Sequence, residues 1–256
     1  MKVAMMQPSF MPWLGYFELI RKSDKFIVLD DFQFSVQSYH QRNRLFVSSG
    51  QVGWYSVPVK KSVSFKSPLN QTKIDESGGW RAKMWKRIQY NYAKTAYYNE
   101  IAPFIEKWLL NPAESLAEQN ITFVQMVCDI LDYKKEILYS SQFESKGERS
   151  ERVVELLHAC SAKQYYSAKG SFDYMREDGV FPLDDISVHF QDFQAEPYAQ
   201  VGSKEAFVPF LSVVDALMNV GPAKTAELIQ NGTKYWLTWE TMCQATHVTG
   251  GKEEQQ

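Results

Sequence analysis

Residues 1–34 read MKVAMMQPSFMPWLGYFELIRKSDKFIVLDDFQF. Val3-Ala4-Met5-Met6 is a short apolar run that stops at polar Gln7 and rigid Pro8. Pro12 and Gly15 mark a turn, and a second apolar run opens at Phe17. A third, Phe26-Ile27-Val28-Leu29, ends on the acidic pair Asp30-Asp31. The succession predicts strand, loop, helix, strand, which is a βαβ unit. Ligands of open α/β sheets bind beyond the carboxyl ends of the strands. The loop Gln7–Tyr16 and the corner Asp30-Asp31 are therefore expected to face one crevice.

The chain has 256 residues, enough for a substantial core. Its apolar runs are too short to cross a membrane, and polar residues and prolines interrupt any signal-peptide core at the N-terminus. Cys128, Cys160 and Cys243 are widely spaced and odd in number, which predicts reduced thiols and a cytoplasmic location. Net charge is −2, but residues 1–95 hold 15 Lys/Arg against 6 Asp/Glu. A basic first third that contains the site loop suits a phosphate-bearing ligand; charge pairing with the acidic remainder is the plainer explanation. An overall pI near 6.1 argues against nucleic acid as partner.

Beyond Asp31, Phe32, Phe34 and Val36 alternate with polar residues and predict an extended segment, and Gln51–Val59 reads as a strand whose Pro58 favours an edge position. Apolar stripes predict helices over 80–95, 98–110 and, with Asn111-Pro112 as cap and first turn, 111–131. Strand and helix then alternate: strands at 134–140, 164–168 and 186–190, helices at 148–161, 172–178 and 210–220, and a short helix 223–231 after Gly221-Pro222. This pattern predicts an α/β fold with a mainly parallel sheet. It is read as one domain over 1–248 with a helical block at 80–131, and a disordered tail at 249–256.

Arg42 and Arg44 are offset by two, so on an extended segment both point the same way and can grip phosphate or carboxylate. Asn43, Lys60 and Lys61 add donors. A solvated basic edge would look the same. Asp30 and Asp31 at a strand end suit an orienting carboxylate and a base, or simple turn capping. Of the four histidines only His40, beside the arginines, is a candidate, and none has metal-ligand spacing. Ser167-Ala168-Lys169-Gly170-Ser171 is a weak anion-binding signal. Phe10-x-Pro12 with Gly15 loosely resembles the phosphate loop of nucleotidyltransferases, but their histidine pair is replaced here by residues such as Trp13 and Tyr16. No Walker, Rossmann-glycine or nucleophile-elbow motif occurs, and the residues leave the cofactor open.

Together Gln7-Pro8, Pro12, Gly15-Tyr16, Asp30-Asp31, Gln33 and Arg42-Asn43-Arg44 resemble the opening of the WbqC-like protein family. Later echoes are Pro58-Val59, Asn91-Tyr92, Asp173-Tyr174, Gln191-Asp192-Phe193 and Leu211-Ser212 with Asp215. The chain departs from the family pattern at Val36–Gln41, where a basic Gly-Trp stretch is common, and at Phe210, where Asn is common. The resemblance implies a place in bacterial polysaccharide and O-antigen biosynthesis and transfer of a glycyl or related acyl group to an amino sugar. On that reading Asp31 is the base, Asp30 orients, Arg42 and Arg44 hold the phosphates of a nucleotide sugar, and Gln7 bonds the substrate. Trp13, Tyr16 and Tyr39 would stack on a ring, while Pro8, Pro12 and Gly15 shape the loop. An ATP-dependent amino-acid-activating enzyme and a non-catalytic sugar-nucleotide-binding module are the alternatives.

Overall fold

The structure, a computed structural model, describes residues 1–48, 50–60, 66–204 and 207–250. In chain order the elements are β1 (Lys2–Met6), α1 (Leu14–Lys22), β2 (Lys25–Val28), a hairpin of β3 (Arg42–Ser48) and β4 (Gln51–Ser56), α2 (Trp80–Tyr92), α3 (Tyr98–Leu110), α4 (Leu116–Ile130) and β5 (Glu136–Tyr139). There follow α5 (Arg149–Ala159), β6 (Gln164–Ala168), α6 (Phe172–Asp178), β7 (Ser187–Gln191), α7 (Val213–Asn231), β8 (Leu237–Thr238) and α8 (Trp239–Gly250). Six strands form one sheet in the order β5-β2-β1-β6-β7-β8, parallel except for β8. The α/β class and the mainly parallel sheet are as expected.

Successive strand residues point to opposite faces, and here both faces are covered. Ala4, Phe26 and Val28 pack into a core shared with α1, α4 and α7, while Val3, Met5, Ile27 and Leu29 pack against α5 and α6. That is why β1 and β2 read as unbroken apolar runs rather than alternating ones. The chain moves outward from β1 through β2 to β5, and α5 then returns it to β6 on the other side of β1. The neighbours β1 and β6 are the topological switch point, the place where doubly wound sheets bind ligands.

The helical block α2–α4 joins the same core as α1 and β2. Arg81 is its buried tie: from α2 it donates to Leu109 O at 2.7 Å, Gln119 Oε1 at 2.6 Å and Asn111 O at 3.1 Å, and pairs with Glu76. A second buried charge, Asp215 on α7, accepts from Tyr92 Oη (2.9 Å), Tyr198 Oη (2.7 Å) and Gln200 Nε2 (2.8 Å). Burial raises its pKa above the usual carboxylate value.

Several boundaries differ from expectation. Helix α4 starts at Leu116, not after Asn111-Pro112, because Ser115 Oγ accepts from the Glu118 N–H (3.2 Å) and so provides the cap. Helix α1 starts at Leu14, so Gly15 and Tyr16 are helical rather than part of the loop; the Trp13 ring lies 2.2 Å from where a Gly15 Cβ would sit. Helix α7 starts at Val213 rather than Phe210 and is bent at Gly221 (φ 77°, ψ 174°), which separates two helical halves as the Gly-Pro signal suggested. The stretch Phe32–Val36, read as extended, joins no named strand and is held by a bridge from Gln33 to Pro68. Strand β8 and helix α8 were not anticipated. The helix includes residues 249 and 250, and residues 251–256 lie outside the described residues. No helix among the described residues is long and apolar enough to cross a membrane.

Candidate functional site

A crevice of about 510 Å³ opens at the switch point, over the carboxyl ends of β1, β2 and β6. Its floor is apolar, from Met5, Leu29 and Val153, and its walls carry the hydroxyls of Ser9, Ser35, Ser38, Ser167, Ser171 and Tyr174. Gln7, Tyr39, His40 and Arg149 are among the other residues that line it, and no carboxylate does so among the described residues. Arg149 is already paired with Asp178 at 2.9 Å. On the β6 side Ser167 and Ser171 share a hydrogen bond of 2.6 Å, and Ser167 Oγ donates to Tyr165 Oη.

Two buried asparagines hold the opposite wall. Asn120 of α4 donates to Pro8 O (2.9 Å) and His40 O (2.7 Å). Asn43 of β3 donates to Phe10 O (3.1 Å) and Met11 O (2.9 Å). Phe10 N–H also donates to Tyr39 O. The loop after β1 is thereby clamped to residues 39–43, which brings Gln7 and His40 together: His40 Nε2 lies 2.7 Å from Gln7 Oε1.

The nominated residues do not all converge. Gln7 and His40 line the crevice, and Tyr39 lines it while half exposed. Pro8 and Pro12 are buried, with carbonyls taken by Asn120 and by Val213 N–H. Trp13, partly buried, packs edge-on against Phe193 (4.9 Å) and Phe210 (5.5 Å) and does not line the crevice, and Tyr16 is sealed against Phe17 and Phe26, its ring closed to a ligand. Asp30 and Asp31 stand beside the crevice but do not line it. Asp30 accepts from Ser141 N (3.0 Å) and Ser141 Oγ (2.7 Å), and Asp31 pairs with Arg152 and accepts from Ser140 Oγ. Gln33 and Lys60 are exposed, and Lys61 lies outside the described residues.

Arg42 and Arg44 share one face of β3, as expected. Arg42 lies over the Trp54 ring (4.2 Å) and Arg44 is directly opposite Trp54 in the hairpin. Neither guanidinium has a carboxylate partner, and the Nε of each is buried without an acceptor among the described residues. Trp54 in turn contacts Tyr39 (5.7 Å between ring centres). A cationic, aromatic rim therefore runs from the crevice mouth onto the hairpin. Trp54 was missed in the sequence because its role depends on cross-strand register; Arg149, Ser35 and Ser38 carried no motif.

His40 yields a pH prediction. Burial pulls its pKa down from 6.5 to about 4. The unfolded chain binds the proton first, so between these values stability rises with pH. Wild-type stability relative to His40→Gln is expected to fall by up to about 3 kcal/mol as pH drops from near 7 to near 4. Urea unfolding of both proteins across that range measures it, and a constant difference would contradict it.

Comparison with known proteins agrees with the motif pattern. The chain is 30% identical over 222 residues to the uncharacterized protein Rv1507c of Mycobacterium tuberculosis, covering 86% of this chain and 94% of that protein. No solved structure matches it significantly. The model of the WbqC-like protein family matches residues 7–227, which takes in the crevice loop, the hairpin, the helical block and β6 and β7. The chain belongs to the WbqC-like protein family.

Proposed function

We propose that the protein is a cytoplasmic transferase of bacterial polysaccharide or O-antigen precursor synthesis. It attaches a glycyl or related acyl group to an amino sugar carried on a nucleotide. The observation that carries this reading is the Arg42–Arg44 face, which has no carboxylate partner among the described residues and is joined through Trp54 and Tyr39 to a crevice that no described carboxylate lines. Guanidiniums without a carboxylate partner among the described residues suit phosphates, an exposed aromatic pair suits a base or sugar face, and the hydroxyl-rich crevice suits the sugar and acyl ends.

In the reaction, the sugar amine attacks the carbonyl carbon of an activated ester or thioester donor. The C–N bond forms, the bond to the leaving oxygen or sulfur breaks, and the amine proton goes to the leaving group. Orientation within one crevice supplies much of the rate. With Asp31 tied to Arg152, we assign Asp30 and Asp31 to holding the corner between Leu29 and Phe32.

Arg42→Ala and Arg44→Ala are each expected to weaken binding of a uridine diphosphate amino sugar by roughly 10- to 100-fold. Titration calorimetry on the full chain measures this, and unchanged affinity in both variants sinks the reading. A sugar-nucleotide-binding module without catalysis is the second reading, favoured by the lack of a lining carboxylate or thiol among the described residues. Tight binding with no acyl transfer from any activated donor would select it.

A further inference from the structure

Gln7 follows β1 at the switch point and lines the crevice. Its side-chain amide has two different ends, an acceptor oxygen and a donor NH2. Which end faces the crevice is decided by His40. The Ser35 backbone N–H donates to His40 Nδ1 (3.3 Å), so that nitrogen carries no proton. The ring proton is therefore on Nε2, which donates to Gln7 Oε1 at 2.7 Å. With its oxygen tied back, Gln7 turns its NH2 the other way, and that NH2 has no acceptor among the described residues. His40 itself is buried and held at both nitrogens, so it is not placed to act as a base.

We propose that the Gln7 NH2 is a fixed donor for the oxygen of an acyl group, carboxylate or carbonyl, and that His40 is the positioning residue that fixes it. This rests on the crevice being the acyl end of the site described above. A neutral amide fits an acyl oxygen better than a phosphate, for which the unpaired arginines of β3 are the stronger attraction. When an amine adds to a carbonyl carbon, the oxygen gains negative charge, and a donor held in place beforehand stabilises that charge without reorganising. The His40 ring supplies that fixity, because an unanchored glutamine amide rotates freely.

The test uses the full-length 15N-labelled chain, with the Gln7 side-chain amide signals assigned by their loss in Gln7→Ala. Glycine and glycinamide are the probes, one offering a carboxylate and the other an uncharged carbonyl. Inorganic phosphate is the comparison. The expected result is saturable movement of the Gln7 signals with glycine, glycinamide or both, whichever responds naming the source of the oxygen. His40→Phe is expected to abolish this movement and weaken binding about tenfold, while His40→Gln, which replaces the ring N–H with an amide N–H, restores it. Imidazole nitrogen shifts of the wild type are expected to show a neutral ring with its proton on Nε2, a readout that survives if His40→Phe does not fold.

A ring proton on Nδ1, Gln7 signals unmoved by both acyl probes or moved by phosphate alone, or wild-type binding in His40→Phe would each overturn the proposal. The two proposals fail separately. Unchanged nucleotide-sugar affinity in the arginine variants removes the phosphate reading and leaves the Gln7 response standing.

Discussion

Arg81→Met is expected to cost about 3–5 kcal/mol of stability, the range for breaking a buried, multiply bonded charge. The methionine replaces the apolar stem but provides no donor. Leu109 O and Gln119 Oε1, both buried and bonded to Nη1, are left without their partner, and Glu76 loses its counter-ion. Each orphaned buried acceptor costs on the order of 1–3 kcal/mol. For a chain of this size the melting temperature should drop by roughly 10 °C. The loss should also reach the crevice, because α4 carries both Gln119 and the neighbouring Asn120 that holds Pro8 and His40. Urea unfolding gives the first quantity and the Gln7 and His40 signals the second. A cost below about 1 kcal/mol would mean that the block does not depend on this tie.

Gly221→Ala is expected to cost about 3–5 kcal/mol by a different route, backbone strain plus displacement of a ring. At φ 77° and ψ 174° the residue occupies a conformation essentially confined to glycine. A Cβ there would lie 2.4 Å from Tyr97 Cε1, and the Tyr97 N–H is itself bonded to Met218 O on α7. The strain would bear on the half of α7 that carries Asp215 and its bonds to Tyr92, Tyr198 and Gln200. Gly78→Ala is the control. Beyond its immediate chain neighbours no described atom lies within 4 Å of its added Cβ, and its effect should stay within about 0.5 kcal/mol. If the two variants unfold alike, the bend at Gly221 is not under the constraint its geometry implies.

The sheet and most helices were legible in the sequence because their signals are local. Apolar periodicity marks Tyr98–Leu110, and an apolar run bounded by polar residues marks Gln164–Ala168. The errors came where a local signal had two meanings. Asn111-Pro112 looks like a helix start, yet Ser115 followed three residues later by Glu118 was the better capping signature and was present in the text. Gly15 reads as a turn residue, but its small size serves a Trp13 ring that covers it within a helix. Strand β8 has two residues and no periodicity to read.

The site was legible one residue at a time and not as an arrangement. Arg42 and Arg44 could be paired from their spacing because a strand sets that geometry. The bonds that occupy Asp30 and Asp31 come from Ser140, Ser141 and Arg152, more than a hundred residues away. Gln7 and His40 were both nominated, but their contact depends on Asn120 and Asn43 drawing two loops together. Long-range polar contacts of this kind leave no periodic trace.

The pairing of β1 with β6 has a consequence for how the molecule is made. Lys2, Val3 and Ala4 find their partners on that side at Gln164, Tyr165 and Tyr166. A ribosome adding about 5–20 residues per second takes of order ten seconds or more to deliver that partner strand. During the wait β1 and β2 can join, but the inner edge of β1 stays bare and able to capture a strand from another nascent copy. The centre of the sheet, over which the crevice opens, closes only after most of the chain has been translated.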